Sequence, residues 1–329
     1  MEFRTVVPAV EGRRGLVRHG EPLLLVGSCF SDNIGGCLSS DLFEADVNPF
    51  GPLYNPASIR NAFRILKDEQ KVASETMLER DGMWVSTLFH SRISAGDRQT
   101  AEERMNSHIH ASASTLRDAS VIIITLGTTR IFSLRESGQV VANCHKLPGT
   151  AFDVRYLSLD ETIVALRDTV SLIHEVNKNA HIIFTVSPLR YNEQGAHGNQ
   201  VAKSTLMLAV DQIIRENENE AVSYFPAYEI MMDDLRDYRF YAEDMKHPSA
   251  QAVRYIYDIF RKSYFDDDTI RLAEEAMKFT RRMAHRSLDG ASSASRESTI
   301  EKLKLTECFT TRFPKLKRAC ERYLDNIPT

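Results

Sequence analysis

The turn after the first strongly apolar run of the chain holds two side chains that could act as nucleophiles. The run at 22–26 has the length of a buried strand, and Gly27-Ser28-Cys29-Phe30 follows it before a helical pattern begins. Gly27 allows a tight turn, so Ser28 and Cys29 are expected at the carboxyl edge of a parallel sheet, where such sheets bind ligands. Taken alone, the motif favours a structural interpretation, with Ser28 as a helix cap and Cys29 as a small core residue.

Asp244 and His247, far along the chain, form an Asp-x-x-His motif. An Asp at this spacing can hydrogen-bond the imidazole, fix its tautomer and raise its basicity. Surface pairs also have this spacing, and Pro248 could simply open the next helix. Combined with the turn at Cys29, the motif predicts a nucleophile, a base and an orienting acid. The helix N-terminus and His247 are expected to lower the pKa of Cys29.

The elements that must position these groups alternate between apolar runs and helical patterns. This alternation predicts an α/β fold of three layers, α/β/α, with a doubly wound parallel sheet. Strands are predicted at 23–26, 44–47, 121–126, 181–186 and 221–224, and the longest helices at 57–67, 101–116, 160–177 and 199–217. Two hairpin insertions are predicted, across Arg80-Asp81-Gly82 and across Ser137-Gly138.

The pattern after residue 265 is helical only. We therefore predict an α/β domain over 1–265 and a C-terminal helical extension over 266–329. A flexible link is predicted at 290–293, followed by helices at 296–311 and 314–324. The sequence does not decide whether this extension packs on the core, covers the crevice or mediates dimerisation.

Composition limits the classes of partner and compartment. The 329 residues are 43% hydrophobic and 26% charged, which is ordinary for a globular protein. The net charge of -4 does not indicate the basic surface that binds nucleic acid. Five scattered cysteines do not form a disulfide framework, so a reducing, cytoplasmic location is expected. No membrane span or leader sequence is predicted. The oligomeric state stays open.

The chain resembles the GSCFA family, whose naming motif is here Gly27-Ser28-Cys29-Phe30-Ser31. Further matching segments are Asn48-Pro49-Phe50-Gly51, Tyr54-Asn55-Pro56, Thr125-Leu126-Gly127-Thr128, Asn143-Cys144-His145-Lys146, Ser187-Pro188-Leu189-Arg190, Tyr224-Phe225-Pro226-Ala227-Tyr228-Glu229 and Arg239-Phe240-Tyr241. The family in turn resembles the SGNH (GDSL-like) hydrolase superfamily. This resemblance implies a flavodoxin-like fold and chemistry on acyl esters.

The superfamily's first block, Gly-Asp-Ser, implies which of the two candidate nucleophiles attacks. Ser28 falls on the Asp position and Cys29 on the nucleophile, so the resemblance implies a cysteine enzyme, with Ser28 as the alternative. The superfamily's oxyanion-hole glycine matches Gly51, whose N–H could join that of Cys29. Asp244 and His247 match the last block without alteration.

The superfamily's third block is where this chain departs from the pattern. Gly127-Thr128-Thr129-Arg130 stands in place of Gly-x-Asn-Asp, so the usual oxyanion Asn is missing. A hydroxyl of Thr128 or Thr129 could substitute for it. Asn143 or His145 could also reach the site from the following loop.

Three further groups have both a functional and a structural interpretation. Arg190 follows a predicted strand and could bind a substrate carboxylate or phosphate, or form a structural salt bridge. His197 and Lys203 could contact a ligand, but they are interpreted as parts of a solvated loop and a solvated helix face. No metal is expected, because no close pair of ligands anchors a zinc site among the cysteines and histidines.

The sequence and the resemblance together predict an esterase or acyltransferase that acts on an acyl ester or thioester, carbohydrate-linked esters included. No cofactor is expected, and acyl-CoA is a candidate co-substrate for acyl transfer. A small molecule or a glycan ester is the expected partner, without nucleic acid or membrane. The alternative is a non-catalytic ligand-binding protein that keeps the hydrolase fold, because the loss of one oxyanion donor costs about 10²–10³ in rate.

Overall fold

A parallel sheet of five strands forms the centre of the protein. The computed structural model describes residues 4–191, 193, 195–217, 221–287 and 295–325. Numbered along the chain, the strands of this sheet are β1 (Leu23–Gly27), β2 (Ala45–Val47), β5 (Val121–Leu126), β9 (His181–Val186) and β10 (Val222–Phe225). All five lie where the apolar runs predicted them.

The strand order across the sheet is β10-β9-β5-β1-β2. This is the flavodoxin-like order, in which the chain changes direction across the sheet between the first and third strands. Here those strands are β1 and β5, and Gly27 pairs in register with Thr125. The residues after β1 and β5 therefore border the crevice where folds of this type bind ligands, which confirms the predicted fold class.

Helices cover both faces of the sheet. They are α1 (Cys29–Ser40), α2 (Pro56–Asp68), α3 (Arg98–Asp118), α4 (Leu159–Val176), α5 (Gly195–Glu216), α6 (Ala227–Glu229), which continues as a π-helical segment (Ile230–Leu235), and α7 (Ala250–Tyr264). Leu24 and Val26 of β1 pack with α2 to α5, whereas Leu23 and Leu25 pack with α1 and α7. Within the described ranges, no helix is long and apolar enough to cross a membrane.

Both predicted hairpins are present, and the second one is larger than predicted. The first pairs β3 (Met77–Arg80) with β4 (Met83–Ser86). In the second, β6 (Arg130–Leu134) pairs with β7 (Val140–Val141) on one side and with β8 (Phe152–Tyr156) on the other. The strand β8 was not predicted, although Phe152, Val154 and Tyr156 alternate with polar residues, because the pattern is short and all but its first residue are exposed.

The C-terminal helices are α8 (Asp267–Ser287), α9 (Ser295–Arg312) and α10 (Lys317–Asp325). They share an apolar cluster with Leu42, just beyond the end of α1, and Thr280 Oγ1 donates to Ser40 O at 2.9 Å. Because α1 starts at the crevice, this contact lies at its opposite end. These helices therefore pack on the core away from the crevice. The link predicted at 290–293 lies outside the described residues.

Candidate active site

The turn after β1 has a backbone conformation that requires glycine. Gly27 has a φ of +151°, and a Cβ on it would lie 2.2 Å from Thr125 O. The Ser28 N–H donates to the same carbonyl at 3.0 Å. The Gly27 N–H donates to Asn48 Oδ1 at 2.9 Å. The neighbouring strand and the loop after β2 therefore hold the turn from both sides.

Ser28 and Cys29 occupy different environments on this turn. Ser28 is fully buried, and its Oγ accepts a hydrogen bond from the Phe30 N–H at 3.3 Å, which confirms the interpretation of Ser28 as the cap of α1. Cys29 is the first residue of α1 and is only partly buried. Of the two candidate nucleophiles, Cys29 is therefore the more accessible.

The local charges act on the Cys29 thiol in opposite directions. Burial raises its pKa above the ordinary thiol value, and the charge of Asp32 raises it further. The N–H groups of Cys29 and Phe30 and the charge of Lys203 lower it. The expected decrease in pKa is wrong for this structure, because desolvation outweighs the helix N-terminus, so the thiol rests in its protonated form at neutral pH.

The Asp244–His247 pair forms the predicted hydrogen bond. His247 Nδ1 lies 2.5 Å from Asp244 Oδ2, while Asp244 Oδ1 accepts the N–H groups of Lys246 at 2.9 Å and His247 at 3.0 Å. These bonds hold the pKa of the Asp244 carboxyl well below its usual range. The imidazole is thereby oriented with Nε2 left to accept a proton.

The loop that carries this pair is fixed at both ends. The Ala242 N–H donates to His247 O at 2.8 Å, and the Ser249 N–H donates to Phe240 O at 2.7 Å. Ser249 then caps α7, which packs on α1. Among the described residues, no hydrogen bond joins His247 to Cys29, so their pairing stays a prediction.

Gly51 is also a position that only glycine fits, but its N–H is already bonded. It has a φ of +81°, a Cβ on it would lie 2.1 Å from His90 Cβ, and its N–H donates to Asn48 O at 2.7 Å. The buried Asn48 also donates from Nδ2 to Asp32 Oδ1 at 3.0 Å. Gly51 could therefore act as an oxyanion donor only if its bond to Asn48 were broken.

The other candidate oxyanion donors are held by local hydrogen bonds. The Thr128 N–H donates to Tyr54 O at 2.8 Å, and Thr128 Oγ1 accepts the Arg130 N–H at 3.1 Å. Thr129 is buried.

Asn143 and His145 support the loop in which they lie. Asn143 Oδ1 accepts the His145 N–H at 2.8 Å, and His145 Nε2 lies 2.7 Å from Ser86 O. Burial lowers the pKa of His145. These contacts favour a structural part for His145.

Thr128 and Asn143 nevertheless border a common cavity of about 280 Å³ beside the end of β5. Its walls are mostly apolar, and Arg130 adds a positive charge. Its lining consists of Tyr54, Asn55, Gly127, Thr128, Arg130, Phe132, Val141, Ala142, Asn143, Cys144, Leu189 and Tyr191. Thr129 and His145 do not line it.

Arg190 lies at a second cavity, of about 440 Å³, next to the loop of Asp244 and His247. The Arg190 N–H donates to Lys246 O at 3.2 Å, and its Nη2 donates to Met232 Sδ at 3.0 Å. Tyr238, Tyr241 and Met245 also line this cavity. Neither of these contacts is a salt bridge. Arg190 therefore remains a candidate to bind an anionic group of the substrate.

Lys203 is the residue that sequence reasoning misplaced. It is completely buried, and its Nζ donates to Gly127 O and Ser187 O, each at 2.8 Å. Burial lowers the pKa of Lys203 to about 7, opposed by the charge of Cys29. The prediction that Lys203 lies on a solvated helix face is therefore wrong. Its spacing from the buried residues Asn199, Leu206 and Val210 on α5 is the signal that could have found it.

Metal ligands are not clustered in the part of the chain that the structure describes: it contains no group of three or more His, Cys, Asp or Glu able to hold an ion.

Comparison with known proteins gives a family and a likeness of structure. The chain is similar to a solved acetyl xylan esterase (Est2A) from the rumen bacterium Butyrivibrio proteoclasticus, at 12% sequence identity and a TM-score of 0.42. The likeness covers 78% of this chain and 66% of that chain. No curated protein matches. The model of the GSCFA family matches residues 22–260, which include the Cys29 turn and the Asp244–His247 pair. The chain therefore belongs to the GSCFA family.

Proposed function

We propose that the protein is an esterase-like hydrolase in which Cys29 is the nucleophile, His247 the base and Asp244 the acid that orients it. The observation that supports this most strongly is the Asp244–His247 hydrogen bond of 2.5 Å, held on a loop that leads into α7. Because α7 packs on α1, this pair belongs to the same side of the sheet as the accessible thiol. Both motifs lie within the family match.

The reaction begins with proton transfer from the Cys29 thiol to His247 Nε2, because Nδ1 is occupied by Asp244. The sulfur then bonds to the ester carbonyl carbon, whose oxygen becomes an oxyanion. The intermediate collapses by breaking the bond to the alcohol oxygen, which takes the proton from His247. Water attacks the resulting thioester with His247 again as base, so the acid is released and the thiol restored.

The N–H of Cys29 is the first candidate oxyanion donor, because Cys29 is the first residue of α1, where N–H groups have no acceptor within the helix. A second donor from Gly51 requires its bond to Asn48 to open when substrate binds. Thr128 and Asn143, beside the apolar cavity, are candidates for contacts with the substrate.

The substrate class proposed is an ester of a small molecule or a glycan. Transfer of the acyl group to a hydroxyl acceptor uses the same thioester intermediate, with acyl-CoA as a donor that a thiol nucleophile suits. Arg190, next to the His247 loop, would then hold an anionic group of substrate or donor.

Hydrolysis of 4-nitrophenyl acetate, followed as kcat/KM, tests this assignment. Cys29→Ala and His247→Ala should abolish turnover, and Asp244→Asn should lower it by about 10³–10⁴ because the imidazole loses its orientation. Cys37→Ala is the matched control, since Cys37 is another partly buried cysteine of α1, and it should leave the rate unchanged. Full activity in Cys29→Ala would refute the cysteine mechanism.

A second function, ligand binding without catalysis, is favoured by two specific observations. The Gly51 N–H is already bonded, and the pKa of Cys29 is raised rather than lowered. A binding protein would retain saturable binding of an ester in the cavity but would show no turnover that Cys29→Ala removes.

A further inference from the structure

Lys203 is a buried charge without a carboxylate partner in the part of the chain that the structure describes. Its side chain leaves the middle of α5, and its Nζ reaches the carboxyl ends of two adjacent strands. The carbonyl oxygens of Gly127 and Ser187 each accept one of its N–H groups at 2.8 Å. A fully buried ammonium ion is costly when no anion is bonded to it, and the Tyr228 ring, 5.6 Å from Nζ, adds only a weak cation–π attraction.

The Cys29 thiol lies on the same edge of the sheet. Gly27 pairs with Thr125 across β1 and β5, so Cys29 follows one of these strands by two residues and the Gly127 carbonyl follows the other. The electrostatic effect is mutual, since Lys203 lowers the pKa of Cys29 and Cys29 raises that of Lys203. Two carbonyls occupy two of the three hydrogen-bonding directions of Nζ, which leaves one direction for a lone pair or a third N–H.

We infer that Lys203 is the internal counter-ion of the Cys29 thiolate. The two groups act on each other through space, because the N–H groups of Nζ donate to the carbonyls of Gly127 and Ser187 and, among the described residues, no hydrogen bond joins Nζ to Sγ. When the thiol gives its proton to His247 or to solvent while Lys203 keeps its own, a thiolate and an ammonium ion share one edge of the sheet, so neither charge is buried alone. Lys203 thus acts through Cys29, as a positioning residue.

The inference rests on the proposed function only in the choice of Cys29 as nucleophile. It adds a stabilisation of the thiolate that does not depend on His247. The other groups that act on the thiol are Asp32, which raises its pKa, and its own helix N–H groups, while Tyr54 interacts with it from the loop after β2 and Arg92 pairs with Asp32 at 3.4 Å. The Tyr228 ring lies 5.6 Å from Lys203 Nζ.

The rate of Cys29 alkylation by iodoacetamide tests the pair without any ester. It is measured by mass spectrometry against pH, in a Cys37→Ala background so that the peptide carries one reactive thiol. Coupled groups titrate in two macroscopic steps, so we expect a two-step profile for Lys203 and a single step for Lys203→Met, with alkylation at pH 8 slower by about fivefold or more. Lys178→Met, which removes an exposed lysine, should leave the rate unchanged.

The difference in Cys29 alkylation rate between the proteins with and without Lys203 should persist in a His247→Ala background, because the electrostatic effect of Lys203 on the thiolate does not need the imidazole. An unchanged rate and profile in Lys203→Met would overturn the inference. Lack of esterase activity would not affect this measurement, and a normal Lys203→Met profile would leave the triad intact, so the two proposals can fail separately.

A second measurement decides the matter if Lys203→Met does not fold. The pKa of Lys203 is followed by NMR of protein labelled with ¹³C at the lysine Cε, in the wild type and in Cys29→Ala. Coupling is reciprocal, so removal of the thiol should lower the pKa of Lys203. An identical pKa in both proteins would overturn the pairing.

Discussion

At the scale of single residues, Cys29 lies between two opposite charges held at fixed places. Asp32 is one turn further along the same helix, and Asn48 Nδ2 fixes its carboxylate with a bond of 3.0 Å. Lys203 is fixed by its two carbonyl acceptors. Both charges are held by hydrogen bonds, so their effects on the pKa of the thiol are built into the fold. The increase caused by Asp32 is larger than the decrease caused by Lys203.

Asp32→Asn should make Cys29 more reactive, because it removes the charge that raises the pKa of the thiol while keeping the shape of the side chain. We expect iodoacetamide to alkylate Cys29 about threefold to tenfold faster at pH 8, a change equal to at most one unit of pKa. Asp118→Asn, on an exposed position of α3, is the control. An unchanged rate in Asp32→Asn would mean that Asp32 does not influence the pKa of the thiol, and a slower reaction would contradict the sign of its effect.

Gly27→Ala should destabilise the fold, because the new methyl group would lie 2.2 Å from Thr125 O at a φ of +151°. We expect a loss of about 3 kcal/mol or more in the free energy of unfolding, measured by urea denaturation. Gly36→Ala is the matched control on α1, where a Cβ meets nothing within 4 Å. It should stabilise the protein by up to about 1 kcal/mol. Equal effects of the two substitutions would contradict this account of the turn.

The chemistry-bearing residues differ in how far the sequence reveals them. The Asp244–His247 bond follows from a local spacing, and so does the cap at Ser28. The burial of Lys203 depends on contacts with residues far away in the chain. Its charge favours a solvent-exposed position, and only its spacing from the other buried residues of α5 indicates that it is buried. The bond from the Gly51 N–H to Asn48 O, by contrast, closes the four-residue turn Asn48-Pro49-Phe50-Gly51, so a local pattern was enough to predict it.

At the scale of elements, α1 is bonded to its surroundings at both ends. Its first residue is Cys29, in the candidate active site. Near its other end the buried Asp41 accepts a hydrogen bond from Tyr257 Oη of α7 at 2.8 Å. Burial raises the pKa of Asp41 to about 6 from 3.8. The contact between α1 and α7, which is proposed to hold Cys29 near His247, therefore depends on pH at this end.

The contribution of Asp41 to the stability of the protein should fall as pH rises from 3.8 to about 6. Between pH 3.8 and about 6 the folded state keeps a proton on Asp41 that the unfolded state has released, so unfolding becomes easier as pH increases. The shift corresponds to about 3 kcal/mol. Urea denaturation of the wild type and of Asp41→Asn at several pH values isolates this contribution. A difference between the two proteins that does not change with pH would contradict the prediction.

Element positions were predicted well for buried strands and less well for an exposed edge strand. The five central strands and both hairpins follow from hydrophobic runs and turn residues. The strand β8 has a short alternating pattern of Phe152, Val154 and Tyr156, but it lies at the edge of its sheet beside β6 and is mostly exposed. Its place in the sheet depends on a partner strand, which a local pattern does not contain.

At the scale of the whole molecule, the strand order explains why distant motifs meet at one edge. The change of direction between β1 and β5 brings the Gly27 turn beside the Gly127 turn, and α5 delivers Lys203 to the same edge. The alternating pattern predicted this fold class. It did not predict that the expected site residues divide between a cavity at Thr128 and Asn143 and another at Arg190.

Covalent capture of an acyl group on Cys29 tests the central claim most directly. The protein is mixed with 4-nitrophenyl acetate or acetyl-CoA and quenched in acid within one turnover, and the adduct is located by peptide mass spectrometry. We predict one acetyl group on Cys29, absent in Cys29→Ala, still formed in Cys37→Ala, and formed much more slowly in His247→Ala, where the base that activates the thiol is missing. Acetylation of Ser28, or ester turnover that leaves Cys29 unmodified at every time point, would contradict the account.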